Sequence, residues 1–267
     1  MKIAFIGAGN MAEAIVSGII KQGVFAAGDV TVTDIREERL QFFKDTYGTQ
    51  ATADNKAAVA ESDVIVLAVK PQMLDEAAAT FAGESCEGKL FVSIMAGVTA
   101  VRIEDVLNAN VRVVRVMPNT PALVGCGAAG YAAGSTATAD DLQLTSDILS
   151  AVGVAVEVKE NELDAVTALS GSGPAYVFYL LESMLAAADE MGLKPETARK
   201  LALATVEGSA KLMDQSGEAA DELRAKVTSK GGTTFAATTT FDKYGVNDGL
   251  VAGLIAARDR SLELSGN

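Results

Sequence analysis

Closely spaced glycines near the start of the chain are the residues with the clearest chemical meaning. They lie in the run from Gly7 to Ala12 (GAGNMA), directly after the β-branched segment Ile3 to Ile6. In the pattern G-x-G-x-x-G/A, the first glycine permits a tight turn, the second admits a pyrophosphate, and the third small residue keeps helix and strand close. We therefore predict that this run binds a dinucleotide, with the N-terminus of the next helix facing the phosphates.

The end of the second predicted strand, Val30 to Thr33, carries two residues of opposite charge. Asp34 could accept hydrogen bonds from a free ribose 2′-hydroxyl, whereas Arg36 could neutralise a 2′-phosphate. The position of Asp34 favours NADH slightly, and the sequence leaves NADPH open. Asp34 could instead cap the helix that contains residues 37–43.

Two further predicted strands end in segments that could line the same site. Val64 to Val69 runs into Lys70 and Pro71, and Val111 to Val116 runs into residues 117–121 (MPNTP). Ligands of open parallel sheets bind beyond the carboxyl ends of the strands. Both segments are candidate walls of the site, although a solvated lysine and a rigid loop would explain them equally well.

Two glycine-containing segments stand out in the second half of the chain, at residues 170–176 (SGSGPAY) and 228–234 (TSKGGTT). Each places free backbone N–H groups at the start of a predicted helix. Unpaired amides and the helix dipole both favour a bound carboxylate or phosphate. The alternative is a plain turn between helices.

The order of elements predicts two domains. Up to about Val158, β-branched runs alternate with helical stretches, a pattern typical of a mostly parallel, doubly wound α/β sheet. After Val158 the β-branched runs stop and alanine- and leucine-rich segments predict an all-α region. We therefore expect a dinucleotide-binding domain over residues 1–158 and a helical domain over residues 159–267.

Composition narrows the classes of function. The chain has 267 residues, a formal net charge of −13 and no histidine. The charge disfavours nucleic acid and anionic membrane surfaces, and a metal site is not expected. No apolar run reaches the roughly 18 residues that cross a bilayer, and a strand begins directly after Lys2. These features predict a soluble, cytoplasmic protein.

The stretch from Ala175 to Ala188 is apolar on nearly every face. A domain of about 109 residues has little interior in which to surround such a helix, and a second subunit could cover it. We therefore predict a homodimer formed through the C-terminal helices, with a higher oligomer of dimers left open. The alternative is a central helix inside a monomeric bundle.

Five segments in this order resemble the pyrroline-5-carboxylate reductase family. They are the runs 7–12 (GAGNMA), 68–71 (AVKP), 117–121 (MPNTP), 170–176 (SGSGPAY) and 229–234 (SKGGTT), and they extend across essentially the whole chain. The resemblance implies an N-terminal Rossmann domain and an all-α C-terminal dimerisation domain. It also implies NADPH- or NADH-dependent reduction of 1-pyrroline-5-carboxylate to L-proline, the last step of proline biosynthesis.

Roles for individual residues follow from the same resemblance. The implied cofactor-binding residues are Asn10, Met11, Asn55, Ala68, Val69, Lys70 and Asn119, in addition to Gly7 and Gly9 of the glycine run and Asp34 and Arg36 at the end of the second strand. At Asp34 and Arg36 the chain departs from the family, which often has Ser or Asn-Arg there, so the resemblance does not imply a cofactor preference. The implied substrate-binding residues are Val227, Ser229, Gly231, Gly232, Thr233 and Thr234. Amides at Gly232 and Thr233 are expected to hold the substrate carboxylate, with the Thr234 hydroxyl near the ring nitrogen; Thr234 and Lys70 are the implied catalytic residues.

Two other functions remain open at this stage. A related β-hydroxyacid-type dehydrogenase would share the domain plan, but such enzymes generally use a lysine on a long central helix. Lys194 and Lys200 lie too close to a helix boundary or a surface pattern for that role. A non-catalytic dinucleotide-binding dimer is the other alternative. The segment Gly231 to Thr234 keeps the residues that the resemblance assigns to substrate binding, which argues against this alternative.

Overall fold

The computed structural model describes residues 1–265. The last two positions of the predicted helical domain, Gly266 and Asn267, lie outside the described residues. The strands are β1 (Ile3–Ile6), β2 (Val30–Thr33), β3 (Gln50–Thr52), β4 (Val64–Leu67), β5 (Leu90–Ser93), β6 (Arg112–Met117), β7 (Gly127–Ala133) and β8 (Gly153–Glu157). The helices of the first half are α1 (Asn10–Lys21), α2 (Glu37–Tyr47), α3 (Asn55–Glu61), α4 (Leu74–Ala79), α5 (Ala100–Leu107), α6 (Ala139–Ser150) and α7 (Leu163–Val166). A π-helical turn, Thr167–Gly171, then leads to α8 (Gly173–Glu190), α9 (Pro195–Ser216), α10 (Ala220–Lys226), α11 (Thr233–Lys243) and α12 (Val246–Ser265).

The strands form one sheet in the order β3-β2-β1-β4-β5-β6-β7-β8. All neighbouring pairs are parallel except β6 and β7. The order reverses between β1 and β4, which is the point where open α/β sheets bind their ligands. This topology confirms the predicted α/β Rossmann architecture and its mostly parallel sheet.

Hydrophobic side chains cover the sheet on both faces, as helices on both sides require. Ile3 and Phe5 of β1 belong to one buried cluster with Ile15 of α1. Ile6 belongs to a second cluster with Ile103 of α5. Because successive side chains of a strand point to opposite faces, the continuous apolar run of β1 serves both cores and holds the following glycines rigidly at the sheet edge.

The structure corrects some strand boundaries. β4 ends at Leu67, earlier than the predicted Val69, and β6 begins and ends one residue later than predicted. The strands β3, β7 and β8 were not among those predicted. β7 is built from glycine, alanine and one tyrosine and therefore lacks the β-branched signal of a strand.

Close packing explains the small residues of β7. A Cβ atom on Gly130 would lie 2.8 Å from a methyl group of Val166, and one on Gly127 would lie 3.0 Å from Ala122. The Val166 side chain at Gly130 and the residue Ala122 at Gly127 therefore approach too closely for larger side chains at these two positions. Tertiary packing, rather than local propensity, selects the sequence of this strand.

The chain divides into two compact units, one of residues 1–174 with the C-terminal segment from Ala257, and one of residues 175–256. In the first unit, Ser261 donates a 2.6 Å hydrogen bond to the buried carboxylate of Asp164. This contact fastens the end of α12 beside α7. The functional boundary predicted after Val158 remains a prediction.

The second unit is entirely helical in its described elements, as predicted. Within α8 only Ala188 is buried, whereas Phe178 and Tyr179 are 59% and 70% exposed. The alternative of a helix surrounded in a monomeric bundle is therefore wrong for this chain. Among the helices of residues 1–265, none has both the length and the apolar character to cross a membrane.

Candidate active site

A cleft of about 420 Å³ lies in the first unit, at the carboxyl ends of β1, β2 and β4. The residues lining it are Ile6, Gly7, Ala8, Gly9, Thr33, Asp34, Ile35, Arg36, Ala53, Asn55, Ala68, Val69, Lys70, Met73, Glu76, Ala77 and Thr80. Eight of the eleven residues predicted to bind a cofactor are therefore brought together: Gly7, Gly9, Asp34, Arg36, Asn55, Ala68, Val69 and Lys70. The sheet topology produces this assembly, because the strand ends meet at one edge.

The two glycines of the first loop have different surroundings. Gly7 has a φ of +104°, and a Cβ atom there would lie 2.8 Å from the carbonyl oxygen of Ala68. Gly9 has an ordinary φ of −76°, and a Cβ atom there would have no protein atom within 4 Å. Gly7 is thus required by the fold, whereas Gly9 borders open space at the start of α1.

The start of α1 is suited to an anion. Gly9 precedes the helix and no side chain caps this end. The first amides of a helix lack partners within the helix, and the helix dipole adds partial positive charge there. These residues fit the pyrophosphate of a dinucleotide, because uncapped amides and the open space above Gly9 occur at the same place.

The Asp34 carboxylate is held by three groups, two of them from Arg36. Its Oδ2 accepts hydrogen bonds from the Ala8 amide and from the Arg36 guanidinium, and its Oδ1 accepts from the backbone and side chain of Arg36, all at 2.9 Å. Burial of Asp34 opposes ionisation, but the hydrogen bonds and charge of Arg36 and the Ala8 amide outweigh it and lower the pKa of Asp34 to about 2. Asp34 makes these contacts rather than capping α2, which Arg36 precedes without a side-chain cap.

Arg39 was missed by the sequence analysis. Its Nε donates a 2.8 Å hydrogen bond to the carbonyl of Ala8, and its guanidinium pairs with Glu13 of α1 at 2.7 Å. The same guanidinium lies over the rings of Phe42 and Phe43. Asp34 and Arg39 therefore hold the Ala8 residue at its N–H and its C=O, which fixes the glycine loop between α1 and α2.

Asn55 lies at one end of the cleft, where a hydrogen-bond network positions it. Its amide accepts from the Thr33 hydroxyl and donates to Thr80 at 3.1 Å. Asp54 caps α3 by accepting a hydrogen bond from Ala57, which places Asn55 at the first helical position. The adenosine contact implied for Asn55 stays a prediction.

Three predicted cofactor residues do not line the cleft. Asn10 and Met11 open α1 directly behind the loop. Asn119 is buried, donates to the Ser170 carbonyl at 3.0 Å and accepts from the Ala128 amide at 2.8 Å. Its amide thus joins the π-helical turn to β7, so the structure gives it a positioning role, and a direct cofactor contact stays a prediction.

The predicted substrate segment lies in the second unit and leads into α11. Gly231 has a φ of +73°, and Gly232 precedes α11, whose first turn has no side-chain cap. The Gly232 amide already donates to the Ser229 carbonyl at 3.0 Å, which leaves the amides of Thr233 and Thr234 at the open helix start. Within residues 1–265 the half-buried Thr234 hydroxyl makes no hydrogen bond, so it is available to a ligand.

Comparison with known proteins identifies the family. Residues 160–264 match the model described as pyrroline-5-carboxylate reductase dimerisation, and residues 2–97 match that described as NADP oxidoreductase, coenzyme F420-dependent. A pyrroline-5-carboxylate reductase of Methanosarcina acetivorans is 41% identical over 98% of this chain and 97% of its own length. The chain belongs to the pyrroline-5-carboxylate reductase family. The family resemblance seen in the sequence is thereby confirmed.

Solved structures of pyrroline-5-carboxylate reductases show the same architecture. That of Coxiella burnetii has a TM-score of 0.91 and 38% identity, and covers 99% of this chain and 98% of its own. That of Plasmodium falciparum, described with NADP bound, has a TM-score of 0.89 and 28% identity, with the same coverage. The comparisons therefore support the Rossmann fold, the helical dimerisation region and a nicotinamide cofactor for this family member.

Sequence signals were available for some of the residues that were missed. Thr33 is the last residue of a predicted strand, a position that regularly lines the ligand crevice. Glu76 and Thr80 follow Pro71 on the helical segment after β4, but nothing in their spacing indicates the cleft. Arg39 reads as an ordinary surface arginine until the packing of α2 against α1 is known.

Proposed function

We propose that this chain reduces 1-pyrroline-5-carboxylate to L-proline, using NADH or NADPH as hydride donor, in the last step of proline biosynthesis. The observation that carries this proposal is the match to a pyrroline-5-carboxylate reductase over 98% of the chain, because it includes both the cleft and the segment before α11. A β-hydroxyacid-type dehydrogenase would share the fold, but no residue of the cleft favours it. The segment Gly231 to Thr234 is intact, which supports catalysis over simple dinucleotide binding.

The cleft residues fit the dinucleotide, which supplies the hydride. Gly9 and the first amides of α1, including Asn10 and Met11, would hold the pyrophosphate. Asp34 and Arg36 would lie at the adenosine ribose, and Asn55 at the adenosine end. Ala68, Val69 and Lys70, beyond β4, would border the nicotinamide side, and Asn119 would support the same wall.

The start of α11 would hold the substrate. The amides of Thr233 and Thr234, with Ser229, Gly231 and Gly232 shaping the bend, present an uncapped helix N-terminus to the carboxylate. Val227 is 66% exposed before this bend and would pack against the ring.

Reduction requires a hydride at the imine carbon and a proton at the nitrogen. An iminium carbon is far more electron-poor than a neutral imine, so the nitrogen is protonated before or during transfer. The chain has no histidine, and a threonine hydroxyl is a poor acid at neutral pH. We assign the proton to solvent, before the substrate binds, while the Thr234 hydroxyl orients the nitrogen and Lys70 adds positive charge at the cleft.

We propose a homodimer, which the family match supports, and an oligomer of such dimers, which it does not test. The match to a dimerisation domain over residues 160–264 supports a homodimer formed through the C-terminal helices. We also propose that such dimers form a higher oligomer and that the functional boundary lies between residues 158 and 159. The proposed location is the cytoplasm. A small molecule is the partner, with no nucleic acid or membrane surface involved, as the net charge of −13 suggests.

Thr234 gives a direct test of the site. Thr234→Val removes the hydroxyl while keeping the shape, and we expect turnover with pyrroline-5-carboxylate to fall about tenfold or more, as for other lost orienting hydrogen bonds. NADH affinity, measured by fluorescence titration, should change little. Thr239→Val, the same change at an exposed position of α11, is the matched control and should retain turnover. Equal turnover in both variants would remove Thr234 from the mechanism.

A further inference from the structure

The hydrogen-bonding capacity of the Asp34 carboxylate is fully used. A carboxylate offers about four acceptor positions. Arg36 occupies three of them, through its backbone amide, Nε and Nη2, and the Ala8 amide occupies the fourth. A ribose hydroxyl can therefore bind Asp34 only after the Arg36 side chain moves away.

The two partners differ in their freedom to move. The side chain of Asp34 is only 8% exposed and is anchored on the glycine loop through Ala8. The side chain of Arg36 is 50% exposed, and its hydrogen bonds within residues 1–265 all go to Asp34. Arg36 is thus the group that swings out, and Asp34 remains where it is.

We propose that the Asp34–Arg36 pair makes this chain bind NADH in preference to NADPH, an inference that rests on the proposed use of a nicotinamide dinucleotide. A free 2′-hydroxyl takes the acceptor positions that Arg36 vacates on the anchored carboxylate. A 2′-phosphate has to remove Arg36 from Asp34 and then remain beside an unpaired, nearly buried negative charge.

Binding titrations without substrate test the inference. Dissociation constants for NADH and NADPH are measured by fluorescence on the full chain, and we expect NADH to bind about tenfold more tightly or better. In Asp34→Asn the preference should shrink about tenfold, mainly because NADPH binds more tightly to the released Arg36. The double variant Asp34→Asn with Arg36→Gln should lose this gain.

Two controls keep the result interpretable. Glu37→Gln removes the same charge from an exposed residue that does not line the cleft, and should leave the preference unchanged. If Asp34→Asn folds poorly, Arg36→Gln alone decides, because it should weaken NADPH relative to NADH without touching a buried group.

Three results would overturn the inference: a wild-type chain that binds NADPH as tightly as NADH, an Asp34→Asn variant with an unchanged preference, or an Arg36→Gln variant that alters neither constant. The titrations contain no pyrroline compound. A chain that prefers NADH but does not reduce pyrroline-5-carboxylate would therefore refute the proposed function and leave this inference standing.

Discussion

Gly7 and Gly9 are two residues apart, yet the structure requires them for different reasons. Gly7 combines a left-handed backbone conformation with a close approach to Ala68. Gly9 has an unstrained backbone and faces open space. The folded chain therefore tolerates a side chain at Gly9 but not at Gly7, so folding and ligand binding can be separated experimentally.

We predict opposite results for substitutions at these two glycines. Gly9→Val should fold with a nearly unchanged melting temperature and fail to bind NADH, because its side chain fills the space for the pyrophosphate. Gly7→Ala should lower the free energy of unfolding by about 1–3 kcal/mol, because its conformation is strained. Thermal unfolding and NADH titration of both variants check this. Normal NADH binding by Gly9→Val would place the pyrophosphate elsewhere.

The roles of single residues were predictable where they follow from the spacing of residues along the sequence. The roles of Gly7 and Gly9 follow from their distance to each other and to β1. The pairing of Asp34 with Arg36 was not predictable in the same way. Asp34 alone would favour NADH and Arg36 alone would favour NADPH, and the sequence does not show that the Ala8 amide holds Asp34 in place. The sequence did not indicate a role for Arg39, because its hydrogen bond to the Ala8 carbonyl joins positions that are 31 residues apart.

At the level of elements, the regular strands were predictable and the irregular segments were not. The β-branched runs located β1 and β2 at their observed bounds. β7 was not predicted because close packing against neighbouring residues, rather than strand propensity, determines where its glycines occur. The role of Asn119 depends on β7 and on the π-helical turn, so its two hydrogen bonds could not be inferred from the predicted strands alone.

The exposed face of α8 leads to a prediction about assembly. Phe178 is 59% exposed in the single chain, and large exposed apolar groups on a helix mark an interaction surface. Phe178→Glu should therefore convert the homodimer into monomers, measured by light scattering, while NADH binding by the Rossmann fold persists. Gln215→Glu adds the same charge at an exposed polar site of α9 and should stay dimeric. A dimeric Phe178→Glu variant would exclude this face from the interface.

For the whole molecule, element order was enough to predict an α/β half and an all-α half, whereas the prediction of an enzyme needed the five motifs. They could not predict that the segment from Ala257 belongs with residues 1–174. That arrangement includes the buried hydrogen bond between Asp164 and Ser261, which are 97 residues apart. Contacts of such long range leave no periodic trace in a sequence.

We expect this chain to deliver hydride from a reduced nicotinamide to the imine carbon of pyrroline-5-carboxylate. The most direct measurement uses NADH carrying deuterium at both C4 positions, followed by mass spectrometry of the product. We predict L-proline with one deuterium at the ring carbon that is bonded to nitrogen and does not carry the carboxylate, formed in step with NADH oxidation. Unlabelled proline, or no oxidation of either NADH or NADPH in the presence of pyrroline-5-carboxylate, would contradict the account.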